Sequence, residues 1–274
     1  MKGLGIFFLS LSLLLSFECN AAQNETQMMT YDVYAGGIHA LDASLTITTN
    51  AKNYDTELNS ATHGFLHTLA PWSGMFSAKG NVGENGTPYP LEHVSSSTWK
   101  KETEEKQYTY DGKGHFLSYK VTETEDGNVK DKTPDKVDPD LTKDTTDILS
   151  ATLNLLMMLP EKPECSGESL IFDGDRNFKL AFKETTPETL KKTRYNIYEG
   201  ETISCQVEVI PDKGKWRKKP RGWLSIQEQG RKKGSLPVIW LGKMDGAQNY
   251  IPVKVRVKTD YGTLFLHLTS YKKG

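Results

Sequence analysis

Beyond residue 22 the 274-residue sequence has no apolar run long enough to cross a membrane as a helix. An excess of one charge is also missing. Thirty-four Lys and Arg stand against 35 Asp and Glu, a formal net charge of −1. Nothing therefore draws the chain as a whole toward nucleic acid. The sequence has no Gly-x-Ser-x-Gly nucleophile elbow and no Gly-x-x-x-x-Gly-Lys-Ser/Thr phosphate loop. It has no His-Glu-x-x-His, no Cys/His zinc cluster and no Cys-x-x-Cys redox pair. His63 and His67, four apart, lack a third ligand in their neighbourhood. These absences point away from an enzyme, a cofactor and a metal. No repeat of fixed period and no long linker divides the chain. A composition of 36% hydrophobic and 25% charged residues excludes disorder, coiled coil and collagen.

What is present begins with an export signal. Lys2 is followed by an apolar run from Leu4 to Phe17, then by the small residues Ala21 and Ala22. That order suits signal-peptidase cleavage after Ala21 or Ala22. Residues 1–22 are thus expected to be a signal peptide, and residues 23–274 a single β-rich domain without a transmembrane segment. Of the three cysteines, Cys19 leaves with the signal. Cys165 and Cys205 remain, and an even pair in an exported chain reads as one disulfide. Closing a loop of that length is worth about 4 kcal/mol in the chain-entropy model.

Along the rest of the chain, alternation of apolar and polar residues dominates. It marks strands over 31–49 (interrupted by Gly36 and Gly37), 54–62, 76–82, 91–101, 106–111 and 115–123. Residues 63–69 read as a helical turn or short helix, and 126–143 as a polar, Pro-containing loop. One strong helix runs from about Thr142 or Asp144 to Leu159, capped by Asp144 or Thr145 and stopped by Pro160. It is apolar almost all round, so it must be buried. Strand patterns resume at 169–172, 178–184, 192–198, 203–210, 223–228, 237–241, 251–259 and 263–271. The expected fold is mainly β: a large, curved, mostly antiparallel sheet, an open or half-closed barrel, around one buried apolar helix.

Two patches stand out as candidate contacts. Phe65, Leu66, Leu69, Trp72, Met75 and Phe76 cluster locally, and Met157 lies in the apolar helix. Aromatic and Met side chains of this kind line adaptable apolar pockets. Lys215, Arg217, Lys218, Lys219 and Arg221 surround Trp216. Cations beside an indole suit an anionic surface or lipid head groups.

Several stretches together resemble a family. They are Tyr31-x-Val33-Tyr34-x-Gly36-Gly37-Ile38, His63-Gly64-Phe65-Leu66 and Thr146-Asp147-Ile148-Leu149-Ser150-Ala151. Then come Cys165, Ile171-Phe172-Asp173-Gly174, Tyr198-x-Gly200 and Cys205. The series ends with Ile239-Trp240-Leu241, Ile251-Pro252-Val253-Lys254-Val255 and Tyr261-Gly262. In order and spacing they resemble exported alphaproteobacterial proteins of the domain-of-unknown-function family 3108. That family is uncharacterised, so the resemblance brings no catalytic residues. It implies a Gram-negative envelope location and a β-rich fold, by architecture like periplasmic carriers of lipoproteins. The basic stretch 213–221 departs from the pattern. The expected protein is a non-enzymatic periplasmic or envelope protein that binds an apolar or amphipathic ligand, a lipid or lipoprotein. The alternative is an envelope scaffold that contacts protein partners and has no small-molecule ligand.

Overall fold

The computed structural model of the protein describes residues 24–216, 223–247, 249–259 and 262–274, with 223–226 described by their backbone course alone. The expected signal peptide lies outside the described residues.

The first half is a run of strands: β1 (Glu25–Ala35), β2 (Ile38–Thr49), β3 (Asn53–Thr62), β4 (Trp72–Val82), β5 (Pro88–Trp99), β6 (Glu102–Tyr110), β7 (Phe116–Glu125) and β8 (Asn128–Asp131). The short helix α1 (Gly64–Leu69) interrupts it between β3 and β4. Helices α2 (Pro139–Thr142) and α3 (Ile148–Met158) follow. The second half holds β9 (Ser166–Phe172), β10 (Arg176–Glu184), β11 (Glu188–Leu190) and β12 (Gly200–Gly214). After α4 (Trp223–Lys232) it ends with β13 (Val238–Gly242), β14 (Ile251–Thr259) and β15 (Gly262–Lys273).

Strands β1 to β8 form a meander in which each pairs with the next. From β15 the order continues β14, β13, β12, β10, β9, with β11 also on β12. β1 pairs with β15, so both halves belong to one antiparallel sheet that is not closed. The local chemistry explains the hairpins. Gly36 and Gly37 both take positive φ (57° and 90°) between paired Ala35 and Ile38. That is the two-residue turn whose twist matches antiparallel strands. Asp126-Gly127 repeats it and produces β8, a strand inside the stretch expected to be loop.

Two expected strands are not strands. Residues 223–228 belong to α4: over six residues, alternation does not distinguish a strand from a helix. Tertiary contact decides, because β12 loses its partner β13 beyond Gln206. α4 supplies the missing partners there. Gln227 accepts from the Val209 N–H (3.2 Å) and donates to the Val207 carbonyl (3.4 Å), and Arg231 donates to the Val209 carbonyl (2.6 Å). Residues 192–198 cross the sheet irregularly. The Asn196 amide donates to the Val253 carbonyl and the Ile197 N–H to that of Leu268, which takes the place of a regular ladder.

The core lies on the sheet's inner face, around α3. The helix cap is Asp147, not Asp144 or Thr145. Its carboxylate accepts from the N–H groups of Leu149 (2.9 Å) and Ser150 (2.8 Å) and from the Ser150 hydroxyl. Ala151, Leu153, Leu155, Leu156 and Leu159 are buried, as the all-round apolar pattern requires. α3 touches β4 and β5 on one side and β9 on the other. Thr146 donates to the Leu170 carbonyl at the β9 edge. From that edge Phe172 reaches Tyr108, Phe116 and Tyr119 of the first half, with ring centroids 5.5–6.1 Å apart. Side chains thus bridge the two ends that backbone pairing leaves open. Cys165 and Cys205 form the expected disulfide, with Cα atoms 5.6 Å apart. It clips the start of β9 to β12 across the end of β10.

Candidate functional site

Where the two ends of the sheet approach above the start of α3, a cleft of 320 Å³ remains. Phe76 of β4 and Tyr108 of β6 form one wall, and Ile171, Phe172 and Phe178 the other. Ile148 and Asp147, the first turn of α3, make the floor. Ser95, Lys106 and Arg176 add polar groups. The volume lies at the low end of ordinary small-molecule sites, about 300–1,000 Å³, and suits one short chain rather than a two-chain lipid.

The floor is chemically quiet. Asp147 is 2% exposed, and its oxygens already accept three hydrogen bonds as the helix cap. His93 lies 3.7 Å from it, but its Nδ1 is engaged by the Ser77 carbonyl at 2.8 Å. The Tyr54 hydroxyl completes the network through Ser150 at 2.6 Å. Burial pushes the Tyr54 and Tyr108 hydroxyls well above the usual phenol range, so both stay protonated hydrogen-bonding groups. These links brace α3 against the sheet and hold the cleft open from below.

Lys106 also lines a second, more polar groove of 640 Å³, between β6–β7 and the tips of the β9–β10 and β12 loops. There five lysines, among them Lys132, Lys136 and Lys213, face five carboxylates, among them Glu104, Glu123 and Asp175. Several are already paired: Lys106 with Glu104 at 2.8 Å and Lys132 with Glu123 at 3.5 Å. At the hairpin separating groove from cleft, Arg176 pairs with Asp173 at 2.8 Å. An apolar cleft and a charge-balanced groove therefore meet at Lys106.

The fold does not bring the sequence-predicted apolar patch together. Phe65 and Leu69 stand 74% and 61% exposed on α1, and Leu66 is half-buried there. Strand alternation splits the rest. Trp72 and Phe76 flank Gly74 on the inner face, while Met75 points to the outer face between Asn59 and Ser96. Met157 packs against the main core. Of the seven residues, Phe76 alone lines the cleft. In the basic stretch, Lys215 lies along the groove of mixed charge. Trp216 is half-buried, its indole donating to the Lys213 carbonyl (3.1 Å) beneath the Arg176 guanidinium (4.6 Å). Arg217, Lys218, Lys219 and Arg221 lie outside the described residues. The walls that sequence reasoning missed come from strands far apart in the chain. Their one local signal was the apolar pair Ile171-Phe172 beside the Asp173-Gly174 turn.

Comparison with solved structures finds a crystal structure from Brucella abortus, described as a β-barrel-like protein of domain of unknown function DUF1849. It is 10% identical, with a TM-score of 0.44, over 93% of this chain and 100% of that one. Comparison with the curated proteins finds no match. A family model described as protein of unknown function (DUF3108) matches residues 30–269, most of the chain, and the protein belongs to that family.

Proposed function

We propose that the protein is a non-enzymatic, periplasmic binding protein for an amphipathic molecule with one apolar chain and a head group of balanced charge. The observation that carries this reading is the meeting of cleft and groove at Lys106. Aromatic and aliphatic walls favour an apolar chain, because they gain from excluding water. The groove pairs its cations with carboxylates, so a zwitterionic or dipolar head group fits it better than a bare anion. The buried acid of the cleft already accepts three hydrogen bonds as a helix cap, which supports binding rather than catalysis. The disulfide suits an oxidising compartment such as the periplasm.

The test is native mass spectrometry of the exported chain from a bacterial periplasm, before and after organic extraction. The expected result is extra mass that solvent releases as an amphipathic compound. Ser95→Trp, which fills the cleft, should abolish that mass while the chain keeps its fold by circular dichroism. A bare parent protein would overturn the carrier reading in favour of the scaffold.

A further inference from the structure

On the outer face, away from the cleft, the end of the first hairpin gathers two histidines and two aspartates. Asp32 and Tyr34 come from β1, His39 and Asp42 from β2, and His63 from the start of α1. Residues three apart in a regular strand point to opposite faces. A bulge changes this. Val33 pairs with Leu41 and Tyr34 with His39, leaving Ala40 as the extra residue. His39 and Asp42 therefore share the outer face with Asp32, which lies directly opposite Asp42. The carbonyl of Ala40 accepts the His63 N–H at 2.9 Å, which brings the second histidine to the same spot.

We propose that His39, Asp42 and His63, with Asp32 as fourth ligand, form a binding site for a divalent transition-metal ion of the zinc type. The imidazoles of His39 and His63 stack 3.7 Å apart, 14° from parallel, and each has one nitrogen beside the Asp42 carboxylate. Asp42 lies between them, with Oδ2 2.7 Å from His63 Nδ1 and Oδ1 3.0 Å from His39 Nε2. Asp32 Oδ1 stands 3.7 Å from the same His39 nitrogen. His39 Nε2 is nevertheless buried without a hydrogen bond, although Asp42 Oδ1 stands 3.0 Å away. A buried imidazole nitrogen without a hydrogen bond, beside two converging carboxylates, is what a cation at their centre would satisfy. One atom from each of His39, Asp42 and His63 already lies within 4.8 Å of the others. Tetrahedral zinc with bonds of about 2.0–2.1 Å draws such atoms to about 3.3 Å apart, a small closure.

The surroundings act as supports. Tyr34 stacks on His39 at 5.1 Å and donates its hydroxyl to Asp32 Oδ2 at 3.3 Å, which leaves Oδ1 toward the site. The stack fixes the ring of His39, and the hydroxyl fixes the carboxylate. Two imidazole nitrogens with carboxylate oxygens suit zinc, copper or nickel and not calcium or magnesium, which take oxygen alone. The Asp42 side chain is 57% exposed, so an ion reaches the site from water without passing through the core.

The test is calorimetric titration of Zn²⁺ into the full exported chain, carrying no affinity tag and stripped with chelator. One equivalent should bind and raise the melting temperature. His39→Gln and His63→Gln should each weaken binding at least tenfold. Asp32→Asn should weaken it about tenfold. His115→Gln removes a surface histidine that also pairs with an aspartate, Asp111 at 2.7 Å, and should leave the titration unchanged. Circular dichroism controls for folding; the substituted rings lie on the outer face. Absence of stoichiometric binding, or binding unchanged in His39→Gln and His63→Gln, would overturn the site.

Discussion

The two halves of the sheet share strand geometry but differ in what covers them. Strands β1 to β5 carry the core on one face and leave the other largely to water, with Thr30, Asp42, Glu57 and Ser73 exposed there. The second half is covered on both sides around β12 to β14. Trp240 projects from the outer face yet is only 4% exposed, under Lys254 (4.5 Å) and Arg256 (5.3 Å) and beside the crossing segment that carries Asn196. Its neighbours Val238 and Leu241 are buried as well. One-sided burial gives the alternating sequence of β1 to β3; two-sided burial gives the continuous apolar run Val-Ile-Trp-Leu of β13. A half whose outer face is open can carry a polar cluster there; a half covered on both faces is committed to packing.

Breaking the disulfide should separate the halves most. Cys165→Ser with Cys205→Ser releases a crosslink confined to the second half. A loss of about 4 kcal/mol is expected in denaturant unfolding. Hydrogen exchange should rise first in β9, β10 and β12 and least in β2 to β4. Uniform loss of protection would show that the halves do not differ in this way.

Leu156→Ala tests the opposite property, the joint that unites them. Leu156 is buried in α3, which touches β4, β5 and β9 together. Its truncation should cost about 2–5 kcal/mol and preserve a single cooperative transition. Two separated transitions would mean that each half folds alone.

The smallest effect belongs to the first half's exposed turn between β6 and β7. The Asp111 carboxyl is held down to about 2, first by the hydrogen bond from the His115 ring, then by the N–H groups of His115 and Lys113. Because its folded value lies below the ordinary 3.8, its contribution to stability is present above that ordinary value. It is lost as pH falls through about 2. In His115→Ala the carboxyl should titrate closer to the ordinary value by NMR. An unshifted titration would remove the ring from the account.

Much of the fold was legible in the sequence because its signals are local. Alternation locates most strands of the first half, and Gly36-Gly37 interrupts the run 31–49 at the point where the structure turns it into a hairpin. The apolar run from Ile148 to Leu159 announced a buried helix, and the two remaining cysteines announced their bond. The exceptions each depended on a distant partner. Residues 223–228 carry a strand pattern in the sequence, because the role of α4, completing the hydrogen bonds of β12 past Gln206, is invisible in six residues. The site was less legible for the same reason. Phe76 lines the cleft opposite Phe172 and Phe178, about a hundred residues away in the chain. The apolar patch 65–76 looked continuous in sequence, yet the pleat of β4 turns Met75 away from its neighbours.

What the sequence determined by itself was everything set by nearest neighbours: strand period, turn chemistry, the greasy helix and the cysteine pair. What the tertiary structure alone decided was which faces meet. A one-residue bulge at Ala40 puts His39 and Asp42 on one side, and the curl of the sheet carries β9 back to β6. Both depend on register and curvature summed over many strands, which no short window of residues encodes.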